Sequence, residues 1–133
     1  MANRLMKQFS MTLEAGVVKL YGEVTTTTSG TVGSQSCKGF TVTKTGSETG
    51  RYTITLADKY MKLLNVSVCV VGAADAAYTA AKGLVSFIRN DSIASNGVTF
   101  NVQFADPATS ADAELADAAK FKIEITLKNS TAY

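Results

Sequence analysis

Residues 39–56 read GFTVTKTGSETGRYTITL, and this stretch decides the fold. Apolar side chains occupy every second position on both sides of a turn that carries two glycines, and threonines fill most positions between them. Successive side chains of a strand point to opposite faces, so the pattern predicts a β-hairpin with one apolar face and one threonine face. Threonine is β-branched, which favours a strand over a helix here.

The same alternation continues outward along the chain. We predict eight strands: Phe9 to Leu13, Val17 to Thr28, Phe40 to Thr43, Tyr52 to Leu56, Val66 to Val70, Leu84 to Arg89, Val98 to Phe104 and Phe121 to Leu127. Glycines lie in or beside most connections, and Asn96-Gly97 is a typical tight-turn pair. These features predict an all-β fold, an antiparallel β-sandwich or barrel of about eight strands, formed by one domain over residues 1–133.

Some segments depart from simple alternation. Asp58 to Leu64 has helical spacing and predicts one helical turn, whereas the alanine-rich runs 73–81 and 111–119 fit a loop or a single-turn helix equally well. Ser29 to Gly39 is rich in glycine but has no Gly-Lys-Ser/Thr ending, so it predicts a flexible loop and not a phosphate-binding loop. The apolar run Leu84 to Arg89 predicts a strand buried on both faces.

Composition argues against several classes of function. The 133 residues carry 13 basic and 11 acidic side chains, a net charge of +2, which gives no excess of positive charge for nucleic acid. Histidine is absent, so the commonest general acid–base group is missing and we expect no enzyme and no cofactor. The first ten residues lack a secretory signal, and the most apolar region, 66–88, is interrupted by charges. We expect a soluble protein, made in the cytoplasm, that binds no membrane.

The two cysteines, Cys37 and Cys69, do not form a CxxC pair. Without histidine, neither a common zinc site nor a Cys–His nucleophile can be assembled. We predict that both are free thiols that behave as small core residues.

Two groups of residues are candidate partner contacts. The first is a group of acidic residues whose spacing does not match a calcium-binding loop. It can be interpreted as a solvated acidic loop, an electrostatic contact surface, a metal site or a pair of catalytic carboxylates. Its members are Asp106, Asp112, Glu114 and Asp117. The second is an apolar and basic N-terminal arm, residues 1–12, which is either the first strand or a segment that docks on a neighbouring subunit. Its candidate contacts are Arg4, Leu5, Lys7 and Phe9. If the arm docks, removing residues 1–10 weakens assembly and leaves the fold intact.

Three segments carry a resemblance to a known group of proteins: KGFTVTKTG at 38–46, GRYTITL at 50–56 and ITLKNS at 125–130. They resemble small virion proteins of tailed double-stranded DNA bacteriophages and, more narrowly, the cement or decoration proteins of short-tailed phages. The resemblance implies a jelly-roll or related β-sandwich that assembles as a homodimer or homotrimer on the capsid exterior. Its partner would be the major capsid protein, whose neighbouring subunits it bridges.

Two other functions remain open on the sequence. A tail or tube component would form stacked rings, which negative-stain images distinguish from compact dimers or trimers. A carbohydrate-binding β-sandwich is a different class, but its sites need aromatic platforms, and this chain has no tryptophan and five tyrosines.

Overall fold

The computed structural model describes residues 16–71, 84–89, 98–115 and 118–128. Within them the chain forms nine strands and one short 3-10 turn. They are β1 (Val17–Thr26), the 3-10 turn (Thr28–Gly30), β2 (Val32–Cys37), β3 (Phe40–Lys44), β4 (Arg51–Leu56), β5 (Lys62–Val71), β6 (Val85–Ile88), β7 (Thr99–Asp106), β8 (Ala111–Asp112) and β9 (Lys120–Lys128).

The strands form two antiparallel sheets. Sheet A has the order β2-β1-β9-β5, and sheet B has the order β3-β4-β7-β6, with β8 paired to the end of β7. Every ladder is antiparallel. The predicted all-β antiparallel sandwich is therefore confirmed, while its jelly-roll type stays a prediction.

The core lies between the inward faces of the two sheets. Tyr52, Phe104 and Phe121 meet at its centre, with ring centroids 5.3 to 5.7 Å apart in edge-on or tilted arrangements. Aliphatic side chains from β4, β7 and β9 surround these rings at alternate positions. The alternation seen in the sequence thus places one apolar face of each sheet against the other.

The hairpin of residues 39–56 forms as predicted. β3 and β4 pair from Phe40 opposite Leu56 to Lys44 opposite Tyr52. Phe40 and Val42 are buried, whereas Thr41 and Thr43 are exposed on the other face. The β7 and β9 strands likewise follow the predicted alternation.

Three predictions are wrong. Residues 29–39 are not a flexible loop, because β2 pairs with β1; its glycine and serines lack the apolar signal that usually marks a strand. Residues 58–64 form no helical turn: β5 begins at Lys62 to pair with β9, and a register shift between Leu63 and Asn65 accounts for the adjacent leucines. β6 is not buried on both faces, since it pairs only with β7 among the described strands and leaves alternate side chains exposed.

Other predictions fall partly or wholly outside the described residues. The N-terminal arm 1–12, the strand Phe9 to Leu13 and the alanine run 73–81 lie there. The run 111–119 begins with the two-residue strand β8 and not with a helical turn.

Gln35 of β2 joins the two sheets at one corner. Its side-chain amide donates to Val42 O at 3.1 Å, and Val42 N donates to Gln35 Oε1 at 2.8 Å. The carboxamide thus pairs with the backbone of edge strand β3 as another strand would. A free sheet edge is a template for unwanted pairing, so this contact covers a vulnerable position.

Candidate functional site

The predicted contact residues are only partly within the described chain. The N-terminal candidates Arg4, Leu5, Lys7 and Phe9 lie outside it, and so does Asp117. The remaining candidates are Asp106, Asp112 and Glu114. Their roles as contacts stay predictions, and the structure shows what each side chain does within the fold.

The three described acids are not one exposed cluster. Asp106 is only 9% exposed, and its Oδ1 accepts a hydrogen bond from Ala108 N at 2.9 Å within a turn. Glu114 is half-buried and forms an ion pair with Lys44, with Nζ 2.5 Å from Oε1. Asp112 of β8 is exposed. Of these acids, Asp112 is therefore the one that remains available to a partner.

Glu114 belongs to a polar cluster at the edge of the core. Tyr52 donates its hydroxyl hydrogen to Gly30 O at 2.5 Å, and burial together with the nearby Glu114 charge raises the pKa of Tyr52. Glu114 Oε2 is buried and has no hydrogen-bond partner among the described residues. Gly30 has a φ of 67°, and a side chain there would collide with that carboxylate. The cluster ties the 3-10 turn to β3 and β4 of sheet B, and we interpret it as structural.

The outer face of sheet B presents a different surface, because the register aligns side chains from three strands. Arg51 of β4 lies opposite Gln103 of β7, and Phe87 of β6 lies opposite Gln103 on its other side. Val85 lies opposite Ala105 in the next row. Val85 and Phe87 are 47% and 46% exposed, which is unusual for large apolar side chains placed side by side.

Gln103 is the fixed centre of this face. Although it points away from the core, it is 0% exposed. Its Nε2 donates to Thr49 O at 2.8 Å and to Phe104 O at 3.1 Å, and its Oε1 accepts from Arg51 Nε and Arg89 Nη1, both at 3.4 Å. Two guanidinium groups therefore converge on one carboxamide oxygen. We call Arg51, Arg89, Gln103, Val85 and Phe87 the β6–β7 patch.

The outer face of sheet A carries a shallow groove of about 540 Å³ that crosses all four strands. Tyr21 lies in it and is 59% exposed. The other lining residues are mostly polar or charged: Gly22, Glu23, Ser36, Lys38, Ser67, Cys69, Lys122, Ile123 and Glu124. Glu23 is already paired with Lys120 and Lys122, at 3.5 and 3.9 Å.

Both cysteines are free, as predicted, but they are not core residues. Cys69 is exposed in the groove, and Cys37 is half-buried at the edge of the core. Burial raises the pKa of the Cys37 thiol, while its contact with Glu23 O at 3.9 Å acts in the opposite direction. The prediction followed the general tendency of free cysteines to be buried, whereas Cys69 lies between the inward Val68 and Val70 and therefore faces outward.

Sequence reasoning missed the β6–β7 patch. A weak signal for it was present in VSFIR at 85–89, where apolar residues occupy both faces of a short strand. On a central strand this pattern means burial, whereas on an edge strand it leaves an apolar outer face. The convergence of Arg51 and Arg89 on Gln103 joins residues that are far apart in sequence and has no local signal.

Within the described residues, no group of three or more cysteine, aspartate or glutamate side chains is placed to hold a metal ion, and no helix is long and apolar enough to cross a membrane. Comparison of the chain with protein-family models, curated proteins and solved structures found no match.

Proposed function

We propose that the protein is a structural virion protein that binds the outer capsid surface and bridges neighbouring major capsid protein subunits. The observation that carries this proposal is the β6–β7 patch, where two exposed apolar side chains adjoin two arginines on a hydrogen-bonded sheet. Aromatic residues and arginine are enriched at protein interfaces and dominate their binding energy. The resemblance of residues 38–46, 50–56 and 125–130 to phage decoration proteins supports a capsid as the partner.

A rigid two-sheet body suits such a role. Its outer face is held in place by ladders on both sides of β7, so the patch loses little conformational freedom on binding. Contacts repeated over a symmetric shell add through multivalency, and each one needs only modest affinity. No chemical step is required of the site.

We also propose that the protein forms homo-oligomers through β5. Among the described strands it is an edge of sheet A, ten residues long, and residues 63–71 carry no charge, proline or glycine. Its inward valines, Val66, Val68 and Val70, are only half-buried, whereas their partners on β9 are buried. An antiparallel copy of the same strand would extend the sheet and cover these valines.

The test is binding to capsids that lack the protein, measured by co-sedimentation and by the heat resistance of the loaded capsids. Phe87→Ser should weaken binding about tenfold or more, because an exposed aromatic anchor is lost. Tyr21→Ser is the matched control, since it removes another exposed aromatic, from the outer face of sheet A. The proposal is wrong if the wild-type protein does not co-sediment.

The groove on sheet A favours one alternative, a carbohydrate-binding module. An exposed Tyr21 ring surrounded by lysines, serines and Glu124 offers a stacking platform with hydrogen-bonding groups beside it. A glycan array distinguishes the two functions: a saccharide signal that Tyr21→Ser abolishes and Phe87→Ser preserves would favour this alternative.

A further inference from the structure

Arg51 and Arg89 are held together by a carboxamide whose orientation is determined by its surroundings. Gln103 Nε2 faces two carbonyl oxygens, Thr49 O and Phe104 O, and only an amide nitrogen can donate to them. The amide oxygen must then face the arginines. Since each arginine nitrogen lies 3.4 Å from that oxygen, the two nitrogens are less than about 7 Å apart.

The charge around this pair is not balanced by the side chains that the structure describes. Arg51 Nη2 lies 3.5 Å from Glu48 Oε2, a carboxylate that is more than half exposed. None of the ion pairs formed within the described residues involves Arg89, which is exposed. Two like charges at this separation repel each other, and an anion placed between them would relieve that repulsion.

The geometry points to a carboxylate. Guanidinium groups bind carboxylates through forked N–H donors at about 2.8 Å, and one carboxylate with such contacts on each side bridges a gap of this size. Phe87 lies directly beside Gln103 on the β6 side, so an exposed apolar side chain borders the two guanidinium groups. A carboxylate attached to an apolar group matches both.

We propose that Arg51 and Arg89 form a receptor for a carboxylate that a protein partner presents next to an apolar side chain, which packs on Phe87; this inference rests on the docking function proposed above. Gln103 acts as a positioning residue. It aligns the arginines before the partner arrives, so less side-chain entropy is lost on binding.

The site is tested directly with sodium benzoate, which joins a carboxylate to an apolar ring. Proton–nitrogen NMR spectra of the full chain should show saturable shifts at Arg51, Arg89 and Phe87, with a dissociation constant of about 1–10 mM. Benzyl alcohol, which has the ring without the charge, and sodium chloride at equal ionic strength should not reproduce them. Shifts that fail to saturate, or that benzyl alcohol or chloride reproduces, would overturn the inference.

Matched variants separate a specific site from general electrostatic attraction. Arg89→Gln should weaken benzoate binding about tenfold, as expected for one charge-assisted hydrogen bond. Arg89→Lys should fall between Arg89→Gln and the wild type, because lysine keeps the charge but not the fork. Lys62→Gln removes the same charge from sheet A and should have no effect. Equal weakening by Arg89→Gln and Lys62→Gln would show that only net charge matters and would contradict the proposal.

Capsid co-sedimentation of the same variants distinguishes this inference from the proposed function. If the wild type binds capsids and Arg89→Gln binds equally well, the carboxylate receptor is wrong and the docking function stands. If benzoate binds at the arginine pair and capsids do not bind the wild type, the receptor stands and the capsid partner is wrong.

Discussion

At the scale of single residues, polar groups beside the core do as much to define this structure as the apolar ones. Tyr52 shows this best: its ring packs on Phe104 and Phe121, while its hydroxyl donates to Gly30 O. The inward position of the Tyr52 ring was predictable from the alternation in β4. The polar contacts of its hydroxyl were not predictable, because Gly30 and Glu114 lie in connections whose path the alternation does not determine.

Tyr52→Phe tests the energetic weight of that hydroxyl. At about pH 8 the variant should lose about 1 kcal/mol of unfolding free energy, the usual value of one hydrogen bond. The dependence on pH follows from the raised pKa of Tyr52 in the folded protein. The folded state favours the neutral phenol. The stabilisation by the neutral phenol is therefore complete at a pH below the pKa of tyrosine in the unfolded chain, about 10, and is lost as the pH rises further.

Urea unfolding at about pH 8 and pH 11 measures this effect. Between these two pH values the wild type should lose more unfolding free energy than Tyr52→Phe. The difference in unfolding free energy between the two proteins should therefore be smaller at the higher pH. Equal losses would contradict the prediction.

Gly50 tests a steric requirement. Its φ is 63°, and an added Cβ would overlap Ala113 O, which belongs to the segment after β8. Gly46 lies in the same connection with a φ of 49°, but a Cβ there meets nothing within 4 Å. Gly46→Ala should therefore cost about 1–2 kcal/mol for the left-handed backbone alone. Gly50→Ala should cost at least about 1–3 kcal/mol more because of the overlap.

Thermal or urea unfolding of the two variants provides the comparison. A similar loss of stability for both would mean that the backbone near Ala113 yields easily, and that Gly50 is required only for its φ.

At the scale of strands, period-2 alternation predicted the strands with a strong apolar face, the edge strand β3 among them, and failed at β2, which has no such face. β3, β4, β7 and β9 lie where the pattern predicts because each buries an apolar face in the core. β2 was missed because an edge strand of glycine and serine is stabilised by its ladder with β1 and contributes little to the core. The contacts that Asp106 and Glu114 make within the fold were not predictable from alternation either, because only the folded chain creates them; the roles of these residues as partner contacts stay predictions.

The Gln35 contact predicts an edge-specific defect. Gln35→Ala removes both hydrogen bonds to Val42 and should lower the unfolding free energy by about 1–2 kcal/mol. It should also raise the aggregation rate, measured by light scattering, because the β3 edge becomes available for pairing. Ser34→Ala, an exposed change on the same strand, is the control. Aggregation that is the same in both variants would show that Gln35 does not protect the edge.

A charge added at the β5 edge should reduce association, whereas uncovering the β3 edge should increase it. Val68→Lys places a charge on the inward side of the edge strand, which discourages strand-to-strand association. Analytical ultracentrifugation should report an oligomer for the wild type, as proposed, and a monomer for Val68→Lys. Ser34→Lys adds the same charge at the β2 edge of sheet A and should leave the oligomer intact. An oligomer that survives Val68→Lys would place the subunit contact elsewhere.

At the scale of the whole molecule, the surfaces proposed for binding lie on different parts of the two sheets. The β6–β7 patch lies on the outer face of sheet B, the groove with Tyr21 lies on the outer face of sheet A, and β5 is a lateral edge. The proposed capsid contact and the proposed subunit contact therefore use different surfaces and would not compete. The sequence predicted a sandwich, but it did not reveal this division, since it depends on which strands become edges.

The pairing of the first and last described strands has a consequence for how the chain reaches this state. Val17 lies opposite Lys128, so the ladder between β1 and β9 closes a loop of more than a hundred residues at the centre of sheet A. Closing so distant a contact is entropically costly, and folding should be slow for a protein of this size. A circular permutant that joins these neighbouring positions through a short linker and opens the chain at the Gly46 turn would make that ladder local, and it should refold faster to the same structure.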